Sequence, residues 1–376
     1  MKLLVLSHTS QSKLVETAQK RGHDVQVLNP DDLYLMISDS VNGYDRIYLK
    51  GERVSLSKTD ALICRIGKNL SYGLNVVEHI NRNMGIYTPS PADGLRIAAD
   101  KFLCSQRLSQ QNIRIPKTVM AYKPDDVDFL IDKVGGLPAV AKTLQGSQGV
   151  GVMILESKRA ANTSLESMYK NDIDLLLQQY LEGGSRDIRA IVVGDKVSVA
   201  MERTANKGDF RANISRGGSG KKIDLTPEET EMAVRAAAAS GLEFAGVDIV
   251  RDGDKSYVIE VNGNPGSKII EITGVNFFED LVKYVEEKAG KKGKKDDEDK
   301  GANSILSTIG AFFQPKASEP TRQELLIQKV RKNGLESLTF SEQKFLQDSG
   351  ADLSFLWDDP NLWWNKRVDS NPFIKS

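Results

Sequence analysis

The stretch Gly246–Gly266, GVDIVRDGDKSYVIEVNGNPG, limits what this chain can fold into more than any other. It reads as a β-hairpin: an apolar strand, a polar turn holding Asp252-Gly253-Asp254, and a second apolar strand. Each strand carries an acid among aliphatics, Asp248 in the first and Glu260 in the second, and Asn262 follows. A buried carboxylate without compensation costs several kcal/mol, so these acids need cations or hydrogen bonds. Side chains alternate faces along a strand, which places Glu260 and Asn262 on one face. A turn centred on Asp254 sets Asp248 opposite Glu260, whereas a two-residue turn at Asp252-Gly253 puts the two acids on opposite faces. Three oxygen-bearing side chains in one place suit a hard cation such as Mg²⁺. By spacing alone, a strand pair with edge acids facing water is equally open.

The rest of the chain alternates strands and helices. Residues 1–90 give KLLVLSH, a helix near Leu14–Lys20, DVQVLN, RIYLK, ALICRIG and a helix over Leu74–Met84. This alternation argues for a parallel or mixed sheet flanked by helices. Residues 92–111 repeat apolar positions at helical spacing, and Pro116 opens a new unit. Strands follow at Thr118–Ala121, Ala139–Thr143, Val152–Glu156, Leu175–Tyr180, Asp187–Val193 and Val197–Glu202, with a helix at Asp125–Val134. Thr226-Pro227-Glu228-Glu229 is a capping box that starts a helix ending at Gly241. From Gly290 the run GKKGKKDDEDKG has mixed charge and no apolar anchor, as a solvated linker does.

Two further groups carry chemistry. Between two strands lies Lys142-Thr-Leu-Gln-Gly-Ser-Gln-Gly-Val-Gly151, whose Gly146, Ser147, Gln148 and Gly149 can turn backbone N–H groups toward phosphate oxygens. It is neither a Walker loop nor a dinucleotide fingerprint, and an ordinary Gly-rich turn also fits. Lys142 ends the apolar run AVAK and either seeks an anion or snorkels to water. The second group is cationic: Arg186, Arg189, Arg203, Arg211 and Arg216, with Asn213 among them. Arginine forks suit carboxylate or phosphate, although exposed arginines are also common.

Composition narrows the setting. Lys+Arg and Asp+Glu both count 51, so no global field collects nucleic acid or acidic membrane. No stretch reaches the ~20 apolar residues of a membrane span. Cys64 and Cys104 are too few for a disulfide framework and read as reduced and buried, in keeping with a cytoplasmic location.

Taken in order, these blocks resemble the ATP-grasp superfamily, most closely the RimK-like ligases that add glutamate to the C-terminus of a ribosomal protein. The resemblance spans about residues 1–290 and rests on RIG at 65–67, ADKF at 99–102, VAKTLQGSQGVGV at 140–152, RDIRAIVVGDKVSVAMER at 186–203, GDFRANISRGG at 208–218, AGVDIV at 245–250 and EVNGNPG at 260–266. It implies an α/β and α+β fold: an N-terminal α/β pre-ATP-grasp domain over 1–90, a lid subdomain over 91–185, and a metal-bearing subdomain over 186–290. A charged linker over 291–320 and a helical, Trp-containing tail over 321–376 lie outside it. By the resemblance, ATP and two Mg²⁺, with Mn²⁺ as an alternative, are the cofactors, and Asp248, Glu260 and Asn262 are the metal ligands. Lys101 and Lys142 match lysines on the ATP phosphates, Gly146–Gly151 the lid, and Gln178, Gln179, Tyr180 and Leu181 the segment that hydrogen-bonds adenine. Asp187, Arg211 and Asn213 match nucleotide and γ-phosphate contacts. Arg203 and Arg216, with Arg211, are candidates for holding the substrate carboxylate or the acyl phosphate. The implied reaction phosphorylates a carboxylate and then lets an amine displace phosphate. His8, His23 and His79 fall outside the ATP-site blocks and receive no role.

Two departures stand out. Gln179 occupies a position where relatives usually carry Glu, and Ser215 one where His is common; the second bears on substrate identity. The expected partners are an amino acid, glutamate first, and a peptide or protein C-terminal carboxylate. A small-metabolite acceptor and a non-catalytic ATP-binding module are the alternatives, and a homo-oligomer is left open. In the tail, Thr321–Asn333 reads as an amphipathic helix. Thr339 or Ser341 starts a second one, ahead of Trp357, Trp363 and Trp364, which either fold back or dock a partner.

Overall fold

The opening run KLLVLS forms strand β1 (Lys2–Ser7), buried from Leu3 onward because it is central in a parallel sheet ordered β2-β1-β6. Helix α1 (Ser12–Lys20) crosses from β1 to β2 (Asp24–Leu28), and β6 (Ala61–Arg65) returns on the other side of β1. Strands β3 (Leu33–Met36), β4 (Arg46–Leu49) and β5 (Glu52–Val54) form a separate antiparallel sheet. The computed structural model describes residues 1–37, 46–122, 126–144, 151–206 and 218–295, with Leu326, Lys329, Leu338, Thr339 and Glu342. The chain divides into two units, Met1–Glu298 and Asp299–Ser376.

Helix α2 (Leu70–Glu78) starts earlier than the Leu74 expected and ends in a π-turn at His79–Asn83. The continuous apolar pattern of residues 92–111 is in fact two helices, α3 (Ala92–Ala99) and α4 (Lys101–Gln110). Asp100 breaks them: its backbone is extended, and its carboxylate accepts the N–H groups of Phe102 and Leu103 at 3.0 and 2.9 Å. An Asp that caps a new helix outweighs periodicity that would run on. The break leaves Lys101 as the first residue of α4, its N–H bonded to Leu144 O on the neighbouring sheet.

That sheet is antiparallel, ordered β7-β10-β8-β9, from β7 (Thr118–Met120), β8 (Ala139–Thr143), β9 (Val152–Leu155) and β10 (Leu175–Gln179). Helices α5 (Val127–Lys133) and α6 (Lys158–Lys170) cover one face, packing Leu130, Ile131, Leu165 and Tyr169 on Ala139, Ala141, Leu175 and Leu177. Alternation leaves Lys142 and Gln178 on the opposite face.

The third sheet is antiparallel with order β13-β12-β11-β14-β15. Its strands are β11 (Arg186–Val193), β12 (Lys196–Thr204), β13 (Ser219–Ile223), β14 (Phe244–Asp252) and β15 (Lys255–Asn262). Helix α7 (Pro227–Ala239) has the expected reciprocal capping box between Thr226 and Glu229. It packs Ala233, Ala236 and Ala237 in the same core as Ala190, Val247 and Ile249. Helices α8 (Lys268–Thr273) and α9 (Phe277–Lys295) follow. Because α9 runs to Lys295, the charged run expected to be linker from residue 291 begins inside a helix. Its apolar face, Phe277, Phe278, Leu281, Val282 and Val285, is fully buried and carries the helix past Gly290.

Cys64 and Cys104 are free and buried, and burial pushes both thiols up to about 11. Among the described residues no helix is long and apolar enough to cross a membrane. In the second unit Leu326 and Lys329 are helical. Thr339 and Glu342 form a reciprocal cap, Thr339 N–H to Glu342 Oε2 at 2.7 Å and Glu342 N–H to Thr339 Oγ1 at 3.4 Å, and Glu342 is helical; Ser341 lies outside the described residues. Trp357, Trp363 and Trp364 lie outside the described residues.

Candidate active site

The Gly246–Gly266 hairpin closes differently from either turn considered above. Its turn is the pair Gly253-Asp254, with Asp252 opposite Lys255 and Gly253 at φ 60°, the left-handed residue that a two-residue hairpin needs. Continued unbroken, that register sets Asp248 opposite Ile259 and sends the two acids to opposite faces. A β-bulge between Asp248 and Ile249 absorbs one extra residue of β15, so Asp248 pairs with Glu260 and Gly246 with Asn262. One inserted residue thus brings the trio onto one face.

Neighbouring strands extend the array across the sheet. Arg189 on β11 pairs directly with Asp248, and Asp187 on β11 pairs with Arg203 on β12. Arg189 donates Nε and Nη2 to the two Asp248 oxygens at 2.7 and 2.6 Å. Arg203 donates the same pair of nitrogens to Asp187 at 2.5 and 2.7 Å, and its Nη2 also reaches Asp248 Oδ2 at 2.9 Å. Two arginines and two aspartates therefore form a neutral, buried block. Burial raises the Asp248 carboxyl, but the two guanidiniums outweigh it and hold the group below the usual carboxylate range. The expectation that Arg203 is free to grip substrate needs narrowing: only Nη1 of its fork is without a partner among the described residues.

Glu260 is different. Among the described residues its carboxylate takes part in no hydrogen bond or ion pair, and Asn262 Nδ2 is buried without a partner. Such unfinished polar groups beside a charge-matched block, whose Asp248 accepts three bonds and keeps a lone-pair site, mark a place where a ligand completes the set. Asp248, Glu260 and Asn262 offer hard oxygen donors, so these residues fit Mg²⁺.

The second sheet supplies a cation to the same place. Lys142 on β8 donates Nζ to Gln178 Oε1 at 2.6 Å, and Gln178 Nε2 donates to Thr118 Oγ1 at 2.9 Å. Burial pushes the Lys142 ammonium down to about 8, with Glu260 and Asp248 opposing the shift and Lys101 adding to it. Those interactions place Lys142 within electrostatic reach of Glu260, Asp248 and Lys101. Gln179 points elsewhere: its N–H bonds Lys117 O at 2.8 Å and its Oε1 accepts Lys117 N–H at 3.3 Å. Tyr180 and Leu181 continue that segment, with Leu181 O accepting the Gly184 N–H.

Gly146, Ser147, Gln148, Gly149, Arg211, Asn213 and Arg216 lie outside the described residues. Two described residues enter the site more prominently than sequence reasoning had them. Gln178 holds Lys142, and Arg189 holds Asp248. Arg189 was legible in principle, since it stands two residues from Asp187 and so shares its face. Gln178 was not, because its role depends on which strand lies beside β10.

Comparisons with known proteins bear on the family and the fold. The RimK PreATP-grasp domain model matches residues 1–95, and the RimK-like ATP-grasp domain model matches residues 98–285. A probable alpha-L-glutamate ligase 1 from Shewanella amazonensis is 39% identical over 301 residues, covering 78% of this chain and 98% of that protein. A probable alpha-L-glutamate ligase from Pseudoalteromonas translucida is 39% identical over 300 residues, covering 78% of this chain and 98% of that protein. The ATP-grasp ligase PsnB, solved with a minimal precursor, Mg and ADP, has the same fold: TM-score 0.60 at 17% identity, over 76% of this chain and 97% of that one. The chain belongs to the RimK-like ATP-grasp family and is an ATP-dependent ligase that joins a carboxylate to an amine.

Proposed function

We propose that this ligase adds an amino acid, glutamate first, to the C-terminal carboxylate of a peptide or protein through an acyl phosphate. The observation that carries the reading is the single sheet face on which a neutral Arg189–Asp248–Arg203–Asp187 block lies beside an open Glu260 and Asn262. The relatives' name, alpha-L-glutamate ligase, supports glutamate, and the precursor bound to PsnB supports a peptide acceptor.

Asp248, Glu260 and Asn262 would hold two Mg²⁺, with Mn²⁺ as a substitute. When bound, such ions neutralise charge on the phosphates and polarise the transferring phosphoryl group. The chain's own groups do the rest. Lys142, held by Gln178, and Lys101, at the start of α4, meet the nucleotide phosphates. Arg203 would offer Nη1 to the carbonyl oxygen that becomes charged as the amine attacks the acyl phosphate and reverts to a carbonyl as phosphate leaves, and Asp187 fixes that guanidinium. Arg211, Asn213 and Arg216, and Gly146–Gly149, all outside the described residues, would by the resemblance join at the γ-phosphate and cover the nucleotide respectively. No side-chain nucleophile is required, because the carboxylate attacks the γ-phosphate and the amine attacks the acyl phosphate. In this reading residues 1–90, 91–185 and 186–290 are the pre-ATP-grasp, lid and metal-bearing parts.

The test mixes protein, ATP, Mg²⁺ and glutamate with peptides ending in a free or an amidated carboxylate. ADP should form with the free terminus, and mass spectrometry should find one or more added glutamates. ADP release with small carboxylates alone would favour a metabolite acceptor, and no release with any carboxylate would overturn the reading.

A further inference from the structure

The parallel sheet ends beside the same site in a group that the mechanism above does not use. Arg65 closes β6 directly opposite Ser7, the last residue of β1. Helix α1 leads from β1 to β2 on one side, while β6 flanks β1 on the other, so Ser7 and Arg65 stand at the topological switch point. Open α/β sheets bind ligands outside the carboxyl ends of their strands at that point.

Arg65 is 6% exposed, yet no carboxylate lies within ion-pair distance of it among the described residues. Its Nε donates to Gln11 Oε1 at 3.1 Å and its Nη1 to Pro265 O at 2.9 Å, both neutral acceptors. Nη2 has no partner among the described residues. Compare Arg203, equally deep, and the half-buried Arg189, whose charges are each matched by an aspartate. Desolvation with no carboxylate to offset it pushes the Arg65 guanidinium down to about 10, and the rings of Phe278 and Phe244, 5.5 and 6.0 Å from its centre, give it partial compensation without a counter-charge. A strut between β6 and the Pro265 loop would need only neutral donors, and a buried charge kept without an opposite charge is costly.

The surroundings also favour a negative guest. Gln11, which accepts from Arg65, is the N-cap residue of the nine-residue α1. That helix has no side-chain cap bond and no acid in its first turn, so its positive end is uncompensated. Asn264, next to Pro265, has its Oδ1 buried without a partner. The Pro265 ring packs over Gly246, where a Cβ would come within 2.9 Å of it, and Gly246 pairs with Asn262. Arg65 is thus linked through one proline to the proposed metal ligands.

We propose that Arg65, at the β1/β6 switch point, binds a carboxylate of the substrate and aligns it with the phosphoryl-transfer centre. The inference rests on the ligase reading above and adds the residue that reads the substrate's negative charge. Two sources share this chemistry: the free carboxylate of the incoming amino acid, and the C-terminal carboxylate of the acceptor.

The decisive variant is Gln11→Glu. It is isosteric, keeps an acceptor for Arg65 Nε, and places its second oxygen where Gln11 Nε2 now meets the hydroxyls of Ser7 and Thr9 at 3.1 and 2.6 Å. A purely structural Arg65 would be better satisfied, and activity would not change. A substrate-binding Arg65 would instead be occupied by a built-in competitor. The expected result is a KM for one carboxylate substrate raised about 30-fold or more. The melting temperature should not fall, and MgADP affinity, measured calorimetrically on the full chain, should stay within about twofold. Arg65→Met should raise the same KM. A rise for L-glutamate, with no further loss on changing to its α-amide, assigns the amino acid's carboxylate; a rise for the peptide assigns the acceptor. Unchanged KM values for both substrates in Gln11→Glu, with wild-type turnover intact, would overturn the inference alone. A wild type that consumes no ATP with any carboxylate and amine removes the ligase reading and this inference together.

Discussion

The two faces of the five-stranded sheet each carry an arginine–carboxylate cluster around a buried acid, and only one of the clusters is complete. Toward α7, Glu229 accepts Arg251 Nε and Nη2 at 2.6 and 2.7 Å, Ser256 Oγ at 2.9 Å and the Thr226 N–H at 3.0 Å. Every strong acceptor position is taken, and the group serves the fold by fixing the start of α7 on β14 and β15. On the other face Asp248 accepts three bonds from Arg189 and Arg203 and Asp187 two from Arg203, while among the described residues the Glu260 carboxylate and Asn262 Nδ2 beside them have no partner. A structural charge cluster closes on itself, whereas a binding cluster leaves valence for its ligand.

The sharpest way to break this contrast is Asp248→Ala, which acts on both sides of it. The change strands Arg189 and Arg203 without their shared acid and should cost about 3–5 kcal/mol of stability, together with all turnover. Chemical denaturation and ADP release check the two halves separately. Glu260→Ala should separate them: turnover should fall about a thousandfold. Because no described group loses a partner, its denaturation midpoint should match that of the wild type.

Glu229→Gln is the mirror experiment. Burial alone would raise this carboxyl, but Arg251, the Thr226 N–H and Ser256 outweigh it and hold it at about 2, against 4.5 for an ordinary glutamate. Allowing for the half-exposed Arg251, the substitution should cost about 2 kcal/mol near neutral pH while the KM for ATP is unchanged. The carboxyl is depressed in the folded state, so its stabilisation is complete above pH 4.5 and is lost as pH falls through about 2. The difference between wild type and variant should shrink across that window in acid denaturation. The smallest effect is expected from Gln179→Glu. Among the described residues its side chain meets only the Lys117 N–H, which a carboxylate accepts as well, so the KM for ATP should move less than about twofold. A larger change would mean that this side chain reads the nucleotide.

Much of this was legible in the residues. The capping box at Thr226, the hairpin with two acids and the strand–helix alternation of residues 1–90 are local signals, and they appear in the structure where local rules put them. Periodicity misled where a single side chain could overrule it: Asp100 splits a helical pattern and turns Lys101 into a helix start. It also gave no warning that α9 would run on to Lys295, because what holds that helix is its apolar side buried in a distant core.

By itself the sequence determined that acids sit among aliphatics on two adjacent strands, that a Gly-rich loop follows Lys142, and that the ordered blocks belong together. Only tertiary structure decided which side chains meet. Strand parity depends on a bulge that no composition or period announces, and it alone puts Asp248 across from Glu260. Charge pairing depends on strand order: β11 lies between β12 and β14, so Arg203 and Arg189 spend their forks on Asp187 and Asp248. Arg65, the last residue of a strand far away in sequence, reaches Pro265 only because two sheets are brought together, and burial there makes its unmatched charge informative.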